Sequence, residues 1–270
     1  MRKIDPPAIQ DKLLLSLLAH AKKASARAIT RRISDIAIRY ALYDAHQGDP
    51  WGVAEDISFA PIKTNLNALY KVPPPTLQFI ESLRANIDGA CPMCGRDALG
   101  TIDHYLPKAN YSEFSFYSQN LVPACDRCNN KRSNSFKGKF IGERPLHPYF
   151  DYFANNQILT IKFEPDWRAP LLTPIPHGVV GTELKIVQWH IDNVLRRAGI
   201  DEYLTSMWGV LINEVRTILP DRTSLKTIKA DLQELETYEF LTGKSANGWR
   251  CAFWHGLQLN NGALRYLQAL

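Results

Sequence analysis

From about Ile9 to Ala45, apolar residues recur every three or four positions: Leu14, Leu17, Leu18 and Ala21, then Ile33, Ile36, Ala37 and Tyr40. That period marks one face of an α-helix, so the segment is expected to be helical. The stretch from Asp49 to Pro75 has no such stripe and ends in Pro73-Pro74-Pro75, which cannot continue a helix. It is expected to be loop-rich. Thr76 is then placed as the N-cap of a helix that runs through Ile87 and stops near Gly89. Residues 90–150 hold four cysteines, few long apolar stripes and many turn formers. Gln157 to Phe163 alternates as one strand. Pro165 to Gly181 contains four prolines and two glycines and reads as a connector. From Thr182 the pattern is helical again, with Ile186, Trp189, Val194 and Leu195 on its stripe. The expected architecture is mainly α with a small α+β insert. The expected segments are a helical N-terminal region (1–87), a cysteine-bearing module (88–150), a strand and Pro-rich connector (151–181) and a helical C-terminal region (182–270).

Composition narrows the class. The chain has 270 residues, 45% of them hydrophobic and 22% charged, a balance that excludes disorder of the whole. No apolar run approaches the ~20 residues that span a bilayer, so no membrane is expected. Leu13 to Leu18 is short and follows Asp11-Lys12 rather than a basic segment, so it does not read as a signal peptide. A cytoplasmic location is therefore expected, where disulfides are rare. Cysteines then read as metal ligands or thiols. The formal charge of +5 lies wholly in the first 150 residues: residues 91–150 carry 8 Lys/Arg against 5 Asp/Glu, whereas residues 181–270 carry 10 against 10. Such an excess permits nucleic-acid binding without requiring it.

The chemistry concentrates in the middle module. Cys91-Pro92-Met93-Cys94 and Cys125-Asp126-Arg127-Cys128 are two CxxC knuckles with 30 residues between them. Four thiolates in two such pairs make the closed tetrahedral set of a structural Zn²⁺ site. Between and beside them lie Asp103-His104-Tyr105-Leu106-Pro107-Lys108, the run Asn120-Leu121-Val122-Pro123-Ala124 that leads directly into the second knuckle, and Asn129-Asn130-Lys131 directly after it.

In that order the residues resemble the HNH endonucleases, also called ββα-metal nucleases. The resemblance covers about residues 88–150 and implies a zinc-stabilised ββα-metal module. It implies His104 as the base that activates water and Asp103 with Asn129 as the ligands of a catalytic Mg²⁺ or Mn²⁺. Asn120 would orient the imidazole. The final family position is Asn129 rather than the eponymous histidine, and an amide oxygen still suits a hard cation. Adjacent strand residues point to opposite faces, so Asp103 and His104 can share a site only at a strand end, bend or bulge. Lys131 and Arg132 are expected near a bound phosphate, with His147 as a further candidate for that contact. The long form of the module, with His147-Pro148-Tyr149-Phe150 following, looks like the HNH subunits of bacterial antiphage systems of the Septu type. That likeness implies an ATPase partner, whereas the HNH resemblance implies DNA, double-stranded, as substrate; the apolar helical faces of residues 182–270 could also bury against a second copy.

Two other readings stay open. One is a zinc-stabilised nucleic-acid- or protein-binding module without catalysis, which would need no second metal. The other keeps the nuclease but makes RNA or branched DNA its substrate. His20, His46, His177, His190 and His255 have no partner spacing, and Cys251 reads as a buried thiol. Thr242-Gly243-Lys244-Ser245 mimics the end of a phosphate-binding loop, but Tyr238 stands where that loop needs glycine, which excludes an ATP site there.

Overall fold

The computed structural model describes residues 1–85, 90–96, 100–132 and 135–270. The N-terminal helices are α1 (Asp11–Ala19), α2 (Ala24–Ile29), α3 (Ile33–Ala45), α4 (Lys63–Lys71) and α5 (Phe79–Ala85). α1 buries Leu15 and Leu18, and α3 buries Ile36, Tyr40 and Tyr43, the helical spacing seen in the sequence. α4 corrects the expectation of a loop-rich stretch. Its buried stripe of Leu66, Leu69 and Tyr70 is only two turns long and is diluted by Lys63, Asn65 and Asn67. Thr76 also departs from expectation: it lies inside a 3₁₀ turn, Pro75–Leu77, and caps no helix. The expected end of that helix near Gly89 falls outside the described residues.

The middle module is built from β1 (Thr101–His104), β2 (Leu121–Ala124) and α6 (Asp126–Arg132). The strands are antiparallel, pairing Thr101 with Ala124 and His104 with Leu121. The connection between them carries two 3₁₀ turns, Ser112–Phe114 and Ser118–Asn120.

A second hairpin joins β3 (Leu159–Glu164) to β4 (Leu171–Pro176). β4 occupies what the sequence suggests is a connector. Its prolines hide it from a pattern reading, yet Pro174 and Pro176 are two residues apart, so both missing N–H groups fall on the outer edge of a two-stranded sheet.

The C-terminal part comprises α7 (Gly181–His190), a π-helical turn (Ile191–Leu195), α8 (Arg196–Ala198), α9 (Ile200–Asn213), α10 (Val215–Ile218), α11 (Leu225–Gly243), α12 (Trp249–Gln258) and α13 (Asn261–Ala269). Ser224 and Thr227 form a capping box at the start of α11. α12 lies directly on β3, and Gly256 makes this fit: a Cβ there would come within 2.2 Å of the Ile161 carbonyl oxygen.

One hydrophobic core runs through all these parts, from Leu15 and Tyr43 through Phe114 and Val122 to Phe253 and Leu267. Both helical flanks reach the first knuckle. The Trp249 indole donates to the Cys94 carbonyl, and His190 bonds the Met93 carbonyl at 2.6 Å. Among the described residues no helix is long and apolar enough to cross a membrane.

Candidate active site

Cys91, Cys94, Cys125 and Cys128 are all buried, and their sulfurs lie within 4.8 Å of one another. The Cys94 and Cys125 sulfurs are 3.7 Å apart. A tetrahedron with ~2.3 Å zinc–sulfur bonds has edges of about 3.8 Å, so the cluster can hold a zinc ion. Backbone N–H groups support the sulfurs: Cys125 N donates to Cys91 Sγ at 3.3 Å and Cys128 N to Cys125 Sγ at 3.4 Å. Hydrogen bonding inside the cluster holds the Cys125 thiol well below its ordinary range and pushes Cys94 and Cys128 up. Four thiolates so close together need a cation to offset their charge.

The cluster sits at the base of α6, and β1 delivers the remaining chemistry beside it. His104 is the last residue of β1. The chain turns there, which lets Asp103 and His104 line one pocket of about 190 Å³ with Asn129, Tyr70, Pro107 and Lys108. His104 Nε2 lies 2.9 Å from the Ser115 carbonyl oxygen. A carbonyl can only accept, so Nε2 carries the proton and Nδ1 presents the lone pair. Burial lowers the imidazole pKa to about 3, which keeps the ring neutral.

Asp103 is also buried, and its Oδ2 is held by Arg132, with Nη2 at 2.8 Å and Nε at 2.9 Å. Burial raises the Asp103 pKa, and the Arg132 guanidinium opposes that shift. Arg132 also donates to the carbonyls of His104, Tyr105 and Ser135. It is therefore a clamp on the end of β1.

This corrects the expectation of a phosphate contact at Arg132, whose side chain is 1% exposed. Lys131 is exposed, as a phosphate contact requires. His147 is not: it is fully buried, with Nε2 2.9 Å from the Tyr43 hydroxyl and Nδ1 accepting from Tyr149 N. Both ring nitrogens are thereby engaged within the core, so His147 reads as structural.

Asn120 acts differently from expectation. No hydrogen bond joins it to His104 among the described residues. Its Oδ1 accepts from Leu106 N at 2.7 Å and from the Tyr43 hydroxyl at 3.2 Å, and its Nδ2 donates to the Leu106 and Phe114 carbonyls. It fixes the chain just after His104, while Ser115 orients the ring.

Two pocket residues escape a sequence reading of the site. Tyr70 of α4 packs edge-on against His104, with ring centroids 4.3 Å apart. Lys108 Nζ lies 4.8 Å from the Tyr70 ring centre, and the Arg84 guanidinium lies 5.1 Å from it. Burial lowers the Lys108 pKa, and Asp103 partly restores it. Lys108 stands at the end of the Asp103–Lys108 run, so a signal was present. Tyr70 and Arg84 come from distant sequence and carry none.

Residues 91–135 match the family model of the HNH endonucleases. Protein ea31 of Escherichia phage lambda is 33% identical over 78 residues, which are 28% of this chain and 26% of that protein. The chain thus spans about a quarter of the length of that relative. No solved structure matches.

Proposed function

We propose that the chain is a metal-dependent endonuclease of HNH type that hydrolyses DNA phosphodiester bonds. The observation that carries this reading is His104, fixed through Nε2 by the Ser115 carbonyl, in one pocket with Asp103 and Asn129.

A hard divalent cation fits the donor set. Arg132 takes only Oδ2 of Asp103, and Asn129 faces the same pocket. Asp103 Oδ1 and the Asn129 amide oxygen would hold Mg²⁺ or Mn²⁺, leaving most positions to water and phosphate. Such an ion supplies charge stabilisation for the phosphate and the departing oxygen. His104 Nδ1 accepts the proton of the attacking water. Lys108 offers its ammonium to a non-bridging phosphate oxygen, within the same pocket. Lys131 grips the backbone outside the pocket. The four cysteines and their zinc fix the start of α6 and thereby Asn129.

The finer assignments are double-stranded DNA as substrate, a cytoplasmic location, and antiphage defence beside an ATPase. Only the defence role and the ATPase rest on the likeness of Asp103–Lys108 and His147–Phe150 to Septu-type subunits; the substrate follows the HNH reading, and the location follows the lack of a signal peptide or a membrane span in the sequence. A binding module without catalysis is the competing reading, and one observation favours it: Arg132 already neutralises Asp103.

Supercoiled plasmid, linear duplex and structured RNA separate these readings when each is incubated with zinc-loaded protein and Mg²⁺, Mn²⁺ or Ca²⁺. Cutting of DNA with Mg²⁺ or Mn²⁺ is the expected result. Cutting of RNA alone moves the substrate, and binding without cutting under every metal leaves the binding module.

A further inference from the structure

Phe140 and Ile141 stand at the apex of a turn and are 67% and 74% exposed. The turn beneath them is firmly closed. Gly138 N donates to the Glu143 carbonyl at 2.8 Å, and Glu143 N donates to the Phe140 carbonyl at 3.0 Å. The Glu143 carboxylate accepts from Lys139 N at 2.6 Å and from Phe140 N at 3.0 Å. Gly142 takes φ +92°, the left-handed position that such a turn reserves for glycine. It also lies against Lys185 and Thr182 of α7. Two large apolar side chains are therefore held out in water on a rigid support. Two adjacent apolar side chains on a fixed turn form a small patch that a partner can cover.

Charge points to the occupant. Lys137 and Lys139 precede the tip in sequence and are exposed, Lys137 over the Trp51 ring at 5.2 Å, and Lys185 lies below the tip. The acid of the turn, Glu143, has its carboxylate occupied by backbone N–H groups. An apolar tip set among lysines suits a polyanion with an apolar interior, which is duplex DNA.

Position agrees. Phe136 packs edge-on against Tyr111 at 5.4 Å, and Tyr111 N bonds the carbonyl of Pro107, a wall of the candidate active site. Phe140 is four residues further on, so its Cα lies within ~14 Å of that of Phe136.

We infer that Phe140 and Ile141 form a wedge that enters a groove of duplex DNA and unstacks a base step. Lys137 and Lys139 hold the flanking phosphates. The inference rests on the nuclease reading and adds how the enzyme grips and distorts its substrate.

The test uses zinc-loaded full-length protein and a 30-base-pair duplex carrying single 2-aminopurine bases at successive positions, with Ca²⁺ replacing Mg²⁺. Wild-type protein should raise the fluorescence at one or two adjacent positions, the mark of unstacking. Phe140→Ser with Ile141→Ser should abolish the rise and weaken duplex binding about tenfold or more. Lys139→Ala should weaken binding and flatten its salt dependence but keep the rise. Matching melting temperatures would show that the tip variant folds. An unchanged fluorescence rise in the double variant would overturn the wedge. So would a change in its sedimentation without DNA and no change with DNA, which would make the tip a protein interface. A normal rise without any cutting in Mg²⁺ or Mn²⁺ would leave the wedge standing and remove the nuclease reading instead.

Discussion

The Arg132 guanidinium lies 2.8 Å from the Asp103 carboxylate, and both groups are almost fully buried. Removing one member of such a pair leaves an uncompensated charge, which typically costs 3–5 kcal/mol. Arg132→Met should therefore destabilise the protein by about that amount, read by urea denaturation. Arg132→Met combined with Asp103→Asn should recover much of the loss, because neither charge remains. Equal instability of the single and double variants would show that Arg132 acts through its carbonyl contacts rather than through Asp103.

Metal analysis of freshly purified protein should find one zinc per chain. Cys125→Ser should abolish that zinc and destabilise the protein, since zinc contributes ~10–16 kcal/mol to small thiolate sites. Both flanks touch the first knuckle through Trp249 and His190. Loss of zinc should therefore lower the single melting transition of the whole chain rather than melt the module alone. Native stability in a zinc-free sample would contradict this.

Lys108 is assigned to the phosphate. Lys108→Ala should slow single-turnover cleavage by about 10²-fold, the usual effect of removing one donor to a developing charge. DNA affinity should change by less than about threefold, because one of many cationic contacts is lost. Lys108→Arg should restore part of the rate. An affinity loss that matches the rate loss would place Lys108 in general binding instead.

The four cysteines are legible in sequence because knuckle spacing is local. Asp103 and His104 are legible as a pair, and the strand end that brings them into one pocket follows from simple strand geometry. What the sequence hides comes from tertiary packing. Arg132 looks like a surface cation because it follows Lys131 in a polar helix, yet it faces inward one turn past Cys128. Asn120 precedes the knuckle, but its amide reaches Leu106 rather than the imidazole. β4 is hidden by prolines that only an edge strand tolerates, and α4 by a stripe of just three apolar residues.

Asp11 caps the 3₁₀ turn that leads to Asn120, accepting from Ser118 N and from the Ser118 hydroxyl. Burial raises its pKa to about 6 from the ordinary 3.8. The folded state then binds a proton between about pH 4 and 6 that the unfolded state does not, so this group's contribution improves as pH falls through 6. Above pH 6 the buried charge opposes folding. Asp11→Asn, which keeps an oxygen for Ser118 N, should raise stability by about 1–3 kcal/mol at pH 7.5. The gain should shrink towards zero near pH 4. Thermal melts of both proteins across this range would check it, and a gain that grows on acidification would contradict it.

The central claim is that His104 accepts the proton of the attacking water. Single-turnover cleavage of supercoiled plasmid by wild-type and His104→Ala protein, at saturating enzyme and with Mg²⁺, tests it most directly. A rate loss of about 10²–10⁴-fold with DNA affinity essentially unchanged is expected. Equal rates for the two proteins would contradict it.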